Sequence, residues 1–186
     1  MKSKELYLDL MKRCLLDTIY GSIPIDDPRV ELGLHWPDQA HTMIGLKRLN
    51  NIQYCFEHIV KDNIEGDVIE TGVWRGGACI FMKALVNLYG LDKKVYVADS
   101  FEGLPKPDPK YPVDKGDKHW TFDKLAVDLP TVRNNFRRYN LLDRNVIFVK
   151  GFFEHTIPNL SVDKLSILRL DGDMFSSTIQ GLEPLY

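Results

Sequence analysis

The chain is poor in cysteine, has no long apolar run and has no excess of charge of one sign, and each shortage removes a class of function. Its three cysteines, Cys14, Cys55 and Cys79, are odd in number, widely spaced and without a C-x-x-C pair. Neither a disulfide framework nor a zinc site follows from them. Cys79 sits just inside a predicted helix, where a thiol can be activated, but a small buried apolar role is the stronger reading. No apolar stretch is long enough for a membrane span or a signal peptide, and the start, with Lys2, Lys4 and Glu5, is polar. A cytoplasmic protein without a membrane partner is expected. Lys and Arg number 24 against 26 Asp and Glu, a formal net charge of -2 with the two signs interspersed. That leaves no electrostatic footprint for nucleic acid. A G-x-x-x-x-G-K-[ST] loop is also missing, which sets phosphate transfer aside.

With 186 residues, 44% of them hydrophobic and 27% charged, the chain can bury one proper core. There is no internal repeat. We expect a single α/β domain in which a helical extension over 1–60 precedes a Rossmann-like core over 61–186. Apolar residues at Leu6, Leu10, Met11, Cys14, Leu15 and Ile19 predict an amphipathic helix ending at Gly21. The proline-bearing stretch 22–40 reads as a loop, and Met43 to Val60 as a second helix.

The most informative stretch is G-D-V-I-E-T-G-V-W-R-G-G, Gly66 to Gly77. Val68 and Ile69 suit a buried parallel strand, Glu70 closes it, and Gly72, Gly76 and Gly77 form a turn that lets backbone approach a ligand. Helical spacing of Ile80, Phe81, Ala84, Leu85 and Leu88 puts a helix over Ala78 to Tyr89. The next strand, Lys94 to Ala98, runs into Asp99, which stands where an acid accepts hydrogen bonds from ribose hydroxyls. The alternative for Asp99 is a cap on the turn with Ser100. A dinucleotide fingerprint needs a second glycine where the chain has Val73 and bulky Trp74, so the residues favour S-adenosylmethionine over NAD.

Further strands are predicted at Asn145 to Lys150 and Ser166 to Leu170, with a helix over Leu125 to Tyr139 and another opening at Ser176. The proline-rich segment Leu104 to Trp120 reads as a long loop overhanging the cleft, with Tyr111, His119 and Trp120 as candidates to line an acceptor pocket; a solvated insertion is the competing reading. Asp171, Gly172 and Asp173 follow the last strand and offer carboxylates to a hard divalent cation, or Asp171 caps the helix behind it.

The runs E-T-G-V-W-R-G-G-A (Glu70 to Ala78), A-D-S-F-E-G-L-P (Ala98 to Pro105) and L-R-L-D-G-D-M-F (Leu168 to Phe175) together resemble the macrocin O-methyltransferase family. H-T-M-I-G-L-K-R-L-N-N-I (His41 to Ile52), N-N-F-R-R-Y-N-L-L-D (Asn134 to Asp143) and G-F-F-E-H-T-I-P (Gly151 to Pro158) are similar to it as well. The resemblance implies a Rossmann-like class I methyltransferase sheet and methyl transfer from S-adenosylmethionine, with Mg2+, to a hydroxyl of a small molecule, most naturally a sugar. It implies cofactor contacts at Thr42, near the methionine part, and from Glu70, Thr71, Gly72, Val73, Trp74, Asp99, Ser100 and Phe152, with Trp74 and Phe152 offering flat faces to adenine or the thioether. Asp171 matches the first magnesium ligand and is the catalytic candidate.

Enzymes of this kind have seven strands, whereas four are predicted before Tyr186, and the family's further acidic pair is not found in the sequence. The expectation is a chain truncated after the fourth strand or completed by a partner, with homo-oligomerisation an option. Two other readings stay open: a cofactor-binding but inactive fragment or interaction protein, and a dinucleotide-dependent oxidoreductase.

Overall fold

The computed structural model describes residues 3–186. Helix α1 (Ser3–Leu15), a short α2 (Pro28–Leu32) and α3 (Gly45–Lys61) precede an alternating core: β1 (Asp67–Thr71), α4 (Gly77–Leu88), β2 (Val95–Asp99), α5 (Leu129–Arg138), β3 (Val146–Lys150), α6 (Phe153–Thr156), β4 (Leu165–Leu170) and α7 (Phe175–Leu185). The four strands form one sheet in the order β3-β2-β1-β4, and every pairing is parallel. This is the doubly wound arrangement that the strand, turn and helix alternation led us to expect.

The alternation of side chains along each strand divides the interior in two. Val68, Val95 and Val97 point to the face covered by α3, α4 and α5, where Phe56, Phe81 and Phe136 are fully buried. Ile69, Tyr96 and Ala98 point to the opposite face, under Phe153 and Ile157 from the segment after β3. Helix α4 is buried almost all round, which is why its sequence is apolar on every side. It even buries Lys83, whose ammonium reaches Asp143 Oδ2 at 2.8 Å.

Four elements differ from the sequence reading, the short α6 among them, since no helix is predicted over Phe153–Thr156. Helix α1 stops at Leu15 rather than reaching Ile19, because Asp17 adopts the left-handed conformation at φ 56°. Its inward stripe is Leu8, Met11, Lys12 and Leu15, while Leu6 and Leu10 are exposed. Lys12 joins the inner face because its ammonium finds the side-chain oxygens of Asn50 and Gln53, at 2.7 and 2.5 Å. The stretch 22–40 contains α2, whose start Asp27 caps by accepting from the Arg29 N–H, with Pro28 in the first turn and Gly33 in the left-handed position at its end. Those three residues are the standard start and stop signals and were legible. Finally, α5 begins at Leu129, because Asp128 accepts from the Thr131 N–H at 2.9 Å and fixes the first turn there.

Strand order reverses between β1 and β4, and the two turns that leave these strands meet. The Asp171 N–H donates to the Thr71 carbonyl at 2.8 Å, and a Cβ at Gly72 would collide with the Asp171 carbonyl. Gly72 also has φ 84°, so both conformation and space demand glycine. Gly72→Ala is expected to destabilise the fold by more than the ~1 kcal/mol of an ordinary positive-φ substitution. A urea unfolding midpoint equal to that of the parent chain would refute this.

Candidate active site

A cavity of about 270 Å3 opens at the carboxyl edge of the sheet, above the point where strand order reverses. Thr42, Glu70, Gly72, Val73, Trp74, Asp99, Ser100, Phe152 and Asp171 are among the residues that line it. Nine of the ten residues singled out in the sequence therefore converge on one space. The tenth, Thr71, does not: its buried hydroxyl faces the α7 backbone at Gly181 and has no hydrogen-bond partner. The alternation along β1 turns Thr71 away when Glu70 faces the cavity.

Glu70 is almost fully buried at the cavity floor. One of its oxygens pairs with Arg169 Nη1, and the other accepts from the Cys79 thiol at 2.8 Å. Register places Glu70 directly beside Arg169 on β4. Burial pushes the Glu70 carboxyl up, and the Arg169 guanidinium opposes that rise. The same Nη1 reaches Asp171 Oδ2 at 2.8 Å, so one cation ties a floor carboxylate to the carboxylate after β4. Both Glu70 oxygens have partners within the protein, so any ligand would bond to it, as to Asp99, through lone pairs those partners leave over. Burial, then the neighbouring Glu70, raises the Cys79 thiol well above its ordinary range, which removes it as a nucleophile.

Asp99 is also committed locally. Its Oδ2 accepts from the Val73 N–H at 2.7 Å and its Oδ1 from the Phe101 N–H at 2.9 Å. Burial raises its carboxyl, and these N–H groups hold the rise in check. Asp99 thus clasps the glycine turn to the turn after β2, and any ribose would bond through lone pairs left over from that clasp. Ser100 braces the second turn, donating to the Gly103 carbonyl at 2.6 Å and accepting from the Glu102 N–H at 3.0 Å. Trp74 occupies a left-handed backbone position at φ 48° and donates its indole N–H to the Lys124 carbonyl at 2.8 Å, with the Arg75 guanidinium 4.3 Å from its ring centroid. Phe152, just before α6, also lines the cavity.

Thr42 does not cap α3, which begins three residues later behind Ile44. Its hydroxyl accepts from the Ile44 N–H at 3.4 Å, and its Cβ lies against Gly77 at the start of α4. The neighbouring His41 carbonyl accepts from the Gly77 N–H at 2.9 Å, and the His41 ring meets the Tyr139 hydroxyl at 2.8 Å. The segment before α3 is in this way fastened over the glycine turn.

The long loop forms a wall of the cavity, but through Gly103, Leu104, Pro105 and Leu125. Tyr111, His119 and Trp120 are not among the lining residues: His119 pairs with Asp117, Trp120 lies under Lys106, and Tyr111 stacks near Phe175. Short 3-10 turns at Pro112–Asp114, His119–Thr121 and Asp123–Leu125 give the loop internal structure. Its anchor is Asp114, buried although it comes from a polar loop, which accepts from the Phe175 and Ser176 N–H groups at 2.8 and 2.9 Å. The loop thereby supplies the N-terminal cap that α7 lacks from its own N-cap residue, Met174.

Among the described residues, no group of three His, Cys, Asp or Glu side chains is arranged to hold a metal. Asp171 and Asp173 are the carboxylates available. Asp173 is raised by burial and by the charge of Asp171, a repulsion that a cation would relieve. Such a pair suits Mg2+ in its usual mode, with one or two carboxylates and the remaining positions filled by water and substrate oxygens. The charge of the cavity also bears on the ligand. Among the described residues that line it, Glu70, Asp99, Asp171 and Asp173 stand against the guanidinium of Arg48, and Arg169 offsets part of the charge of Glu70 and Asp171. A pyrophosphate would meet repulsion there, whereas a sulfonium would not.

Sequence reasoning overlooked Arg169, Asp114 and Arg48. Arg169 had a signal, since a charge between Leu168 and Leu170 in an apolar strand requires a buried counterion. Asp114 had none, because its partners lie more than sixty residues away.

A family model described as macrocin-O-methyltransferase (TylF) matches residues 21–186. The chain is 46% identical over 196 residues to the 8-demethyl-8-(2,3-dimethoxy-alpha-L-rhamnosyl)-tetracenomycin-C 4'-O-methyltransferase of Streptomyces olivaceus, covering 98% of this chain and 75% of that protein. It is 45% identical over 199 residues to the mycinamicin III 3''-O-methyltransferase of Micromonospora griseorubida, with 98% and 78% covered. Among solved structures, the O-methyltransferase NovP superposes with a TM-score of 0.91 at 43% identity, over 99% of this chain and 79% of that one. The calicheamicin methyltransferase CalS11, at 18% identity and a TM-score of 0.58 over 100% of this chain and 74% of that one, shares the fold.

Two outcomes are expected from the fastenings around the cavity. Asp114→Ala should release the loop and speed tryptic cleavage at its lysines, while Asp114→Asn, which keeps one of the two acceptor oxygens, should protect it in part; equal cleavage of all three chains would contradict the anchor. Burial, with Arg138 and Arg75 nearby, holds the His41 imidazole down to about 4. The unfolded chain, with its histidine near 6.5, binds the proton first as pH falls. The contribution of a neutral His41 is therefore fully present above about pH 6.5 and is lost as pH falls toward about 4. His41→Gln should show a flatter decline of stability across that window, read from urea midpoints.

Proposed function

Since the chain belongs to the macrocin O-methyltransferase family, we propose that it transfers a methyl group from S-adenosylmethionine to a hydroxyl of a small natural product, most naturally a sugar hydroxyl of a glycoside. The observation that carries this reading is the cavity at the β1/β4 reversal, where the glycine turn, Asp99 and the Asp171–Asp173 loop meet under the Leu104 side of the long loop. The named activities of the relatives, a rhamnosyl 4'-O- and a mycinamicin 3''-O-methylation, supply the acceptor class.

In this reading the glycine turn and Val73 support the donor by backbone approach, and Phe152 and Trp74 offer flat apolar faces to adenine. Asp99 contributes to the ribose through its remaining lone pairs. The acidic lining compensates the sulfonium charge in the ground state. Arg169 holds Asp171 Oδ2, so Oδ1 is the atom offered to the acceptor hydroxyl. As the acceptor oxygen forms its bond to the methyl carbon, the sulfur–methyl bond breaks with its electron pair going to sulfur, and the hydroxyl proton passes to Asp171. Where Mg2+ is bound, Asp171 and Asp173 would hold it in place of Asp171 taking the proton, and the metal would supply a lowered pKa for a coordinated hydroxyl. The loop excludes water from the reacting centre. The domain reading accompanies this one: 1–60 covers the cofactor and 61–186 carries the sheet.

Calorimetry with S-adenosylhomocysteine, with and without Mg2+, tests the donor and the metal together. Micromolar binding is expected, and NAD should not compete. Asp171→Asn should leave that binding within about twofold while abolishing methyl transfer, with any magnesium stimulation lost as well. Binding of NAD in preference to S-adenosylhomocysteine would overturn the proposal, and binding without transfer to any glycoside hydroxyl would favour the inactive cofactor-binding reading.

A further inference from the structure

Trp74 lines the cavity from a left-handed backbone position at φ 48°, which a bulky residue keeps only where its surroundings fix it. Two contacts do so. Its indole N–H donates to the Lys124 carbonyl at 2.8 Å, and the Arg75 guanidinium lies 4.3 Å from its ring centroid. Arg75 itself is not among the lining residues. Its Nη1 donates to the Asp38 carbonyl at 2.6 Å and to the Ala40 carbonyl at 2.8 Å, which engages both hydrogens of that nitrogen. The Arg75 carbonyl in turn accepts from Asn135 Nδ2 at 3.0 Å, and Asn135 is buried on α5. The two carbonyls that receive the guanidinium belong to the segment between Trp36 and Thr42, residues that both line the cavity. Lys124 Nζ reaches the same segment from the long loop, at the Trp36 carbonyl (3.1 Å) and Asp38 Oδ1 (3.4 Å). The glycine turn, segment 36–42 and the long loop are thereby closed into a ring, and Arg75 stands behind it.

We infer that Arg75 is a positioning residue for the methyl-transfer site: from outside the cavity it holds the Trp74 ring and segment 36–42 against each other, so that two walls stand in place before any ligand enters. The inference rests on the methyltransferase reading above. A guanidinium suits this task better than an ammonium, because its plane stacks on an indole while its edge donates to two carbonyls at once. Its contacts are to carbonyls and a ring face, so the carboxylates of the cavity keep their charge for the ligand. The left-handed strain at Trp74 is thus maintained by a neighbour in sequence that is itself pinned to two distant elements. Walls ordered in advance lower the cost of binding, since the ligand does not have to arrange them. Arg75 touches neither donor nor acceptor and acts through Trp74 and the backbone of segment 36–42.

The test reads a double-mutant cycle in two ways. In the chain labelled with 5-fluorotryptophan, the three tryptophans give three fluorine resonances, assigned by Trp36→Phe, Trp74→Phe and Trp120→Phe. Without ligand, Arg75→Ala should shift and broaden the Trp36 and Trp74 resonances and leave that of Trp120 in place. By calorimetry, Arg75→Ala should weaken S-adenosylhomocysteine roughly 10-fold, whereas the same replacement in a Trp74→Leu background should cost no more than about twofold. Arg75→Lys should recover part of both readouts, since it can still donate to the carbonyls but does not stack as a plane. A urea midpoint is measured for each variant, and Arg75→Lys carries the test if Arg75→Ala fails to fold. Equal loss of affinity in the two backgrounds would show that Arg75 acts independently of Trp74 and would overturn the inference. So would unmoved Trp36 and Trp74 resonances, or an equal shift of all three, the mark of general loosening. A parent chain that does not bind S-adenosylhomocysteine would remove the donor reading, and the fluorine resonances would still decide whether Arg75 sets the two walls.

Discussion

Arg169 is the constraint on which the site is built. A guanidinium inside the carboxyl edge of a sheet is tolerable only if it is fully paired, and here Glu70 on β1 and Asp171 beyond β4 pair with it through one nitrogen. The interaction therefore joins the two strands between which the order reverses. It also sets the direction of the Asp171 carboxylate. Breaking such a cluster by removing one member leaves a charge without compensation, so the strand pairing and the site geometry are coupled by the same atoms.

Around that cluster the cavity is assembled from turns that each spend their polar groups on one another. Asp99 clasps the glycine turn, Ser100 braces its own turn, and the His41 carbonyl fastens the segment before α3 to the start of α4. The long loop follows the same pattern, since Asp114 caps α7 from a distance. In the proposed reaction, preorganisation of this kind would leave little reorganisation for the transfer itself. It also means that several residues identified as ligand contacts are structural clasps in the same position.

Among the described residues, no helix is long and apolar enough to cross a membrane. The chain spans about three quarters of the length of the curated relatives it matches. Within the residues present, β2 is buried along nearly its whole length while β4 is only half-buried throughout, as befits a strand paired on one side by β1.

The amino-acid sequence by itself determined the order of elements and the place of the cavity. Short segments rich in apolar residues that run into Glu70, Asp99 and Asp171 suit buried parallel strands, and such strands carry their ligand at the carboxyl edge. The motifs around those acids identified the family. What the tertiary structure decided is which groups remain free to act. Whether Glu70 faces a ligand or a guanidinium depends on the β1–β4 register, and whether Tyr111 and His119 reach the cavity depends on where Asp114 docks. The inward stripe of α1 likewise turned on Asn50 and Gln53 offering partners to Lys12. These are choices between hydrogen-bond partners distant in the chain, and local propensity carries no information about them because the competing arrangements share the same backbone conformation.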